Sequence, residues 1–288
     1  MSQNQAQWQW PGGAPLAVSI VVNIEEGSEY SIAEGDAITE PVDELGVQLK
    51  KPVRNFGNES NYRYGLHGGF GRVSGLLDDY EIPATFTAAA LSLERAPHIA
   101  EYIGRGPHEA CCHGWRWIHQ FKFDADEERE FICRARDSIE QSTGKRPVGW
   151  LSRYLHTERT RALLGDEGFL YHMDDYSGDS PFHDTNGEHS VVVLPYALDS
   201  NDMKFWLEPA LSARDWLQYA IDTFDWLYQE QSVQPQYMSL GVHLRIIGRP
   251  GRIGALKAFF DHLRAHDDIW VATREQIARH YCEQVPAS

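Results

Sequence analysis

The sequence predicts a single α/β domain built as a parallel barrel, and three observations carry that prediction. Short, β-branched, almost continuously apolar segments recur along the chain, which is how strands buried on both faces of a parallel sheet read. Amphipathic stretches lie between them, so that strand and helix alternate about seven times with Gly or Pro punctuation. The 288 residues, 42% of them apolar, suffice for one barrel with a substantial core. An open doubly wound sheet is the other arrangement this rhythm allows.

The first strand is expected from Leu16 to Asn23 and ends at Glu25-Glu26-Gly27. The segment that follows, at about 27–65, is poor in apolar residues and rich in Gly, Asp, Glu and Asn. It reads as a long loop insertion serving as a lid or a subunit contact. A helix over Phe70–Tyr80 leads to a strand at Ala84–Thr87, a helix over Ala96–Arg105 to one at Glu109–Cys112, and a helix over Asp126–Thr143 to one at Val148–Trp150. A helix over Thr157–Glu167 is followed by a polar loop, Ser180 to His189, whose His183 and His189 read as solvated, and then by a strand at Val191–Leu194. Helices over Ala213–Glu230 and Ile253–Ala265 precede strands at Met238–Val242 and Asp268–Ala272, and Arg274–Cys282 is a last helix.

Composition narrows the function classes. The 26 Lys and Arg against 42 Asp and Glu leave a net charge of −16, so a nucleic-acid partner or an anionic membrane is disfavoured by repulsion. Four irregularly spaced cysteines, Cys111, Cys112, Cys133 and Cys282, are too few for a disulfide framework in this length and are expected as reduced thiols. Residues Met1 to Pro11 carry no positive region and no small-residue cleavage site, and the early apolar run Ala17 to Ile24 is broken by Ser19 and Asn23. Neither secretion nor membrane spanning is expected, and a cytoplasmic location is.

In a parallel barrel the residues after the strands converge on one face however far apart they are in sequence. Here those residues are Glu25-Glu26, His113, the Leu151-Ser152-Arg153 segment and His243, so a carboxylate pair and two histidines can meet in one pocket. The stretch Cys111-Cys112-His113-Gly114-Trp115-Arg116-Trp117 begins like a metal-binding histidine pair, since histidines four apart share a helical face and can grip one zinc. Trp117 stands where the second histidine would, and an indole nitrogen only donates a hydrogen bond. His119, two residues on, points elsewhere on a helix and is a poor substitute.

These residues resemble the polysaccharide deacetylase superfamily: a first strand ending in two acids and glycine (Glu25-Glu26-Gly27), a His-x-x-x-His position (His113 to Trp117) and a last strand ending in histidine (Val242-His243). The resemblance is greatest to its metal-independent bacterial allantoinase branch and covers nearly the whole chain. It runs through Val22–Gly27, His113–Ile118, Arg146-Pro147-Val148-Gly149-Trp150, Glu167–Tyr171, Leu194-Pro195-Tyr196, Asp199–Met203 and His243–Pro250. It implies a modified parallel (β/α)7-type barrel and hydrolysis of carbon–nitrogen bonds other than peptide bonds. It also suggests a carbohydrate-related family setting and a homo-oligomer such as a tetramer.

In the zinc members, one acid of the first motif is the base and the next a metal ligand beside both histidines. By that resemblance Glu25 takes the base place, and if a metal binds, Glu26 and His113 would hold it, one short of the three protein ligands usual for catalytic zinc. The third motif has Leu151 where zinc enzymes usually place arginine, and Arg153 is expected to supply that guanidinium. Trp117, Trp150, Arg153, Asp174 and His172 are expected to meet the substrate. His172 replaces an aspartate usual in the allantoinase branch, which leaves the substrate open.

The expected chemistry uses protein groups alone and no cofactor. Glu25 or Glu26 takes a proton from water, His243 protonates the leaving nitrogen, and His113 or Arg153 stabilises the oxyanion. A small cyclic amide such as allantoin or a cyclic imide is the expected substrate. Two other readings are a zinc-dependent deacetylase of an N-acetylated sugar and a catalytically silent homologue that binds a small ligand.

Overall fold

The computed structural model describes residues 8–47, 51–184, 189–208, 210–230 and 234–287. Their nine strands are β1 (Ala17–Ile24), β2 (Ala84–Ala88), β3 (Glu109–Cys112), β4 (Gly149–Trp150), β5 (Tyr171–His172), β6 (Phe182–Asp184), β7 (Val191–Val193), β8 (Tyr237–His243) and β9 (Trp270–Val271). They form one sheet in the order β6-β7-β5-β4-β3-β2-β1-β8, with β9 paired to the start of β1. Every pairing is parallel except β6 with β7. The sheet curls into a half-barrel flanked by helices, the modified (β/α) barrel expected from the sequence.

Strand alternation sorts the side chains into two layers. On β1, Val18, Ile20, Val22 and Ile24 pack outward against the helices, whereas Ala17 and Val21 face an inner cluster that includes Leu194, Tyr196 and Tyr237. Met238, Leu240 and Val242 of β8 face outward in the same way, and so do Ala110 and Cys112 of β3. The inner parity therefore carries Asn23, Glu25, His113, Leu151 and His243 to the mouth of the half-barrel, with Cys111 and Gly241 one inner-facing position deeper.

The helices close the outer layer. Capping boxes start three of them, with Asp124 and Glu127 before Ala125–Thr143, Ser212 and Asp215 before Ala213–Gln229, and Thr273 and Gln276 before Arg274–Gln284. No helix among the described residues is long and apolar enough to cross a membrane. All four cysteines are free thiols.

Three local expectations are corrected. The 27–65 segment ends in a helix, Phe56–Tyr64, whose N-cap Asn55 accepts from Asn58 N at 3.0 Å. It buries Asn58, Asn61 and Tyr62, a largely polar face that leaves no apolar period to read. The polar stretch after Ser180 contains β6, and His183 is not solvated: its Nε2 lies 2.7 Å from Val285 O. The other new elements, Tyr171–His172, Ala90–Arg95 and Leu244–Ile247, are too short to show a period.

Candidate active site

A cavity of about 380 Å³ opens where the C-terminal ends of the inner-facing strand residues meet. Glu25, His113 and His243 line its floor with Asn23 and Asn201, while Trp117, Tyr154, Tyr176, Leu198 and Met203 form an apolar and aromatic wall. The volume and the few convergent polar groups suit a small molecule.

Glu25 is the hub. Its Oε1 lies 3.4 Å from His113 Nε2 and 3.3 Å from His243 Nε2, and its Oε2 is 2.8 Å from an Arg245 terminal nitrogen. The Arg245 contact is electrostatic and poorly aligned as a hydrogen bond, because Glu25 Oε2 and both terminal nitrogens of Arg245 remain without a hydrogen-bond partner. Burial would raise the Glu25 carboxyl, but the Arg245 and His243 charges outweigh it and hold the group well below the usual carboxylate range. Arg245 is itself buried, with Nε 2.5 Å from Asp43 Oδ2 and its guanidinium over the Tyr62 ring at 4.4 Å.

His243 is fixed from behind. Its Nδ1 is 2.7 Å from Asp202 Oδ1, while Asp202 Oδ2 accepts from His243 N at 2.8 Å and from Ile247 N at 3.0 Å. Burial favours the neutral ring, but the Glu25 and Asp202 carboxylates outweigh it and push His243 up to about 9. At neutral pH the cavity floor thus holds an imidazolium against a carboxylate, with Nε2 turned toward Glu25.

His113 is held in the opposite state. The Trp117 Nε1–H donates to His113 Nε2 at 3.0 Å, so Nε2 is an acceptor and carries no hydrogen. Nδ1 therefore carries the proton and donates it to Leu151 O at 2.7 Å. The Nε2 lone pair that would face a metal is capped by the residue standing in the second-histidine position.

Glu26 points away from the cavity because it has the opposite strand parity. Its Oε2 accepts from Glu25 N at 3.0 Å and its Oε1 from Arg245 N at 3.1 Å. Burial pushes its carboxyl up, against the Arg245 charge. A Cβ on Gly65 would stand 2.2 Å from Glu26 Oε1, so glycine is what lets helix 56–64 lie against this carboxylate. Glu26 therefore stands outside the cavity, unlike Glu25, with which the expected catalytic set groups it.

The donors that the resemblance offers a zinc ion do not fit one. His113 Nε2 is capped, Glu26 is turned to backbone N–H groups, and two guanidinium groups flank the floor, over the Trp117 ring at 3.7 Å for Arg153 and 5.7 Å for Arg245. Among the described residues, the one set of three such ligand atoms within 4.8 Å of one another is Asp225, His262 and His266, and none of these lines the cavity.

Other expected substrate contacts are redistributed. Trp117 and Arg153 line the cavity, but the terminal nitrogens of Arg153 are engaged: they pair with Glu40 at 2.8 and 2.5 Å and donate to Trp117 O at 2.7 Å, while its buried Nε has no partner among the described residues. Trp150 and His172 do not line it, because outward parity turns them to the helix side. There Trp150 packs with Phe131 and Phe169, and His172 Nε2 lies 3.6 Å from Asp184 Oδ2. Asp174 sits just behind the wall, accepting from Ser152 N at 2.7 Å. His119, its Nδ1 3.1 Å from Arg153 O, stays out of the cavity, although the 113–120 stretch is not the helix expected there.

Sequence reasoning missed Arg245, Asp202, Glu40 and Asp43. Glu40 and Asp43 come from the long 27–65 excursion, which packs a buried acidic wall against Arg153 and Arg245. Arg245 had one usable signal: it lies two residues past a strand-end histidine in a chain short of cations.

The comparisons agree with this fold. Residues 64–169 match the model of the polysaccharide deacetylase family. A Schizosaccharomyces pombe relative described as a polysaccharide deacetylase is 30% identical over 96% of this chain and 93% of its own length. The crystal structure of PuuE allantoinase superposes with a TM-score of 0.92 at 37% identity, covering 97% of this chain and 94% of that one. A Pseudomonas aeruginosa PAO1 structure described as a polysaccharide deacetylase gives a TM-score of 0.91 at 37% identity, covering 97% and 95%. With its barrel, its strand-end acid and histidines and a relative matched end to end, the chain belongs to the polysaccharide deacetylase family and is a hydrolase of carbon–nitrogen bonds other than peptide bonds.

Proposed function

We propose that this hydrolase opens a small cyclic amide, of the allantoin or cyclic imide kind, without a metal ion, using Glu25 as base and His243 as acid. The observation that carries this reading is the Glu25 carboxylate set 3.3 Å from the His243 Nε2 of an Asp202-backed imidazolium, beside a histidine whose metal-facing lone pair is capped.

In this mechanism Glu25 takes a proton from water as the water oxygen attacks the ring carbonyl carbon. The carbon–nitrogen bond breaks as His243 gives its Nε2 proton to the departing nitrogen, yielding a carboxylic acid and a free amide or amine end. A carboxylate held as low as Glu25 is a weak base in the resting site. Loss of the His243 proton to the leaving nitrogen removes one of the two charges that depress it, so the two transfers assist each other. The proton on Glu25 then returns to His243 across the 3.3 Å contact and resets the site.

The small, partly apolar chamber supports a small heterocycle over a polymer strand, and one of the two solved structures at 37% identity is an allantoinase. The test is a hydrolysis panel of allantoin, cyclic imides and chitooligosaccharides with wild type and Glu25→Gln. Turnover of a cyclic amide that drops by about 10²–10⁴-fold in Glu25→Gln is the expected result. Turnover of chitooligosaccharides alone, or a Glu25→Gln variant as active as wild type, refutes it.

A further inference from the structure

We infer that the Tyr196 hydroxyl is the oxyanion donor of this site, a catalytic residue that hydrogen-bonds the amide oxygen as its carbon becomes tetrahedral. The inference rests on the hydrolytic reading above. An amide carbonyl attacked by water develops negative charge on oxygen, and a preorganised donor is needed where no metal takes it. Of the two groups expected for that task, His113 Nε2 has no hydrogen, and both terminal nitrogens of Arg153 are engaged by Glu40 and Trp117 O, which leaves its buried Nε as the rival donor.

Hydrogen-bond valence singles out Tyr196. Its Oη accepts from Asn23 Nδ2 and from Asn201 Nδ2, both at 3.1 Å. Neither amide can flip. Asn201 Oδ1 accepts from Met203 N at 2.8 Å, and Asn23 Nδ2 also donates to Val242 O at 3.2 Å while Thr87 Oγ1 donates to Asn23 Oδ1 at 2.6 Å. Two accepted bonds use both lone pairs of a phenol oxygen, so its single hydrogen must point in a third direction. No acceptor among the described residues takes it.

Tyr196 borders two cavities, and its two amide donors, Asn23 and Asn201, line only the one that holds Glu25 and His243, so that third direction is assigned to its floor. Tyr196, Asn23 and Asn201 all line the cavity, and Asn23 is the register partner of His243 on the β1–β8 pair. Burial pushes the Tyr196 pKa up, so the group stays a donor across the working range. Two N–H groups donating into the oxygen polarise its O–H bond further. Glycine at 241 is what admits the hydroxyl, since a Cβ there would stand 2.1 Å from Oη.

The test separates donor chemistry from architecture, because Tyr196→Phe also strands two asparagine amides. Fluorotyrosines of graded acidity placed at position 196 keep the oxygen and change only its strength as a donor. Two readouts are followed: kcat and KM on whichever amide wild type turns over, and calorimetric binding of methylphosphonate, whose tetrahedral anionic oxygens copy the intermediate. Expected are a kcat about 10²–10³-fold lower in Tyr196→Phe with little change in KM, and a kcat that rises with phenol acidity along the series. Methylphosphonate affinity is expected to follow the same order, with about a tenfold or greater loss in Tyr196→Phe.

A series flat in both readouts, or a loss carried instead by Lys204→Met, a cation that also lines the cavity, or by Arg153→Met, overturns the assignment while leaving hydrolysis itself standing. Methylphosphonate binding that tracks Tyr196 in a protein inactive on every amide supports the donor and refutes the proposed reaction. Neither binding nor turnover refutes both.

Discussion

Replacing Asp202 by Asn should move the alkaline limit of activity downward, and the structure sets the size of the move. Asp202 Oδ1 is 2.7 Å from His243 Nδ1, which puts the two charge centres roughly 4 Å apart and makes their attraction about 4 kcal/mol at an effective dielectric constant near 20. His243 stands at about 9 against an ordinary value of 6.5, a net gain shared between Asp202 and Glu25 and opposed by burial. Removing the Asp202 charge should therefore lower it by about one to two pH units, each worth about 1.4 kcal/mol. An asparagine amide also cannot accept from His243 Nδ1 and from the backbone N–H groups of His243 and Ile247 with both of its atoms, so the ring loses its fixed tautomer.

The sign follows from the proposed role. With His243 as the acid, kcat/KM should fall above about pH 9 in wild type and above about pH 7–8 in Asp202→Asn. Linkage gives a parallel signature in stability. A raised histidine contributes stability that is complete below its ordinary value of about 6.5 and is lost as pH rises through about 9, so wild-type Tm should decline across that window and the variant's should decline less. The assays are a pH profile of kcat/KM and a direct titration of the His243 ring by NMR. An alkaline limb that stays in place while the ring pKa drops would show that His243 is not the acid.

Arg153→Met should cost about 3–5 kcal/mol by stranding the buried Glu40 carboxylate, seen as a fall in the denaturant midpoint. The double variant with Glu40→Met should recover most of it; no recovery would mean that the pair is not what the mutation breaks. Gly65→Ala should displace Glu26 and, through it, Glu25 N and Arg245 N, lowering kcat by about 10²-fold with a stability loss of about 1–3 kcal/mol. Unchanged kinetics would remove Glu26 from any positioning role. Arg245→Met should raise the Glu25 pKa, since Arg245 is the leading charge holding it down, and should move the acidic limb of the pH profile upward. An acidic limb unmoved in that variant would assign that limb to another group.

The barrel was legible because buried parallel strands are nearly continuous apolar runs, and because a strand-end residue announces where it will sit. Glu25, His113 and His243 were found by that rule and meet in one cavity. The same rule, pressed one residue further, would have excluded Glu26, Trp150 and His172, since period-two alternation turns each to the outer layer; spacing along the sequence was read without side-chain parity. Arg245 and Asp202 were harder to see, because a charge's role depends on which charge lies opposite. The partners here are set by register across β1 and β8 and by the 27–65 segment. That segment folds through polar contacts such as Asn61 with Asp43 and Glu40 with Arg153, which leave no hydrophobic period. Trp117 was recognised as the lost second histidine. That its indole also caps the first could be seen only once the 3.0 Å contact to His113 Nε2 was in place.

Exhaustive dialysis against a strong zinc chelator, followed by parallel measurement of bound metal and of kcat/KM on a cyclic amide, bears most directly on Glu25 and His243 working without a metal. Turnover unchanged in protein holding far less than one metal ion per chain is the expected result. Activity that vanishes with the metal and returns on adding zinc would contradict it, and would require the Trp117 cap on His113 to open in the working enzyme.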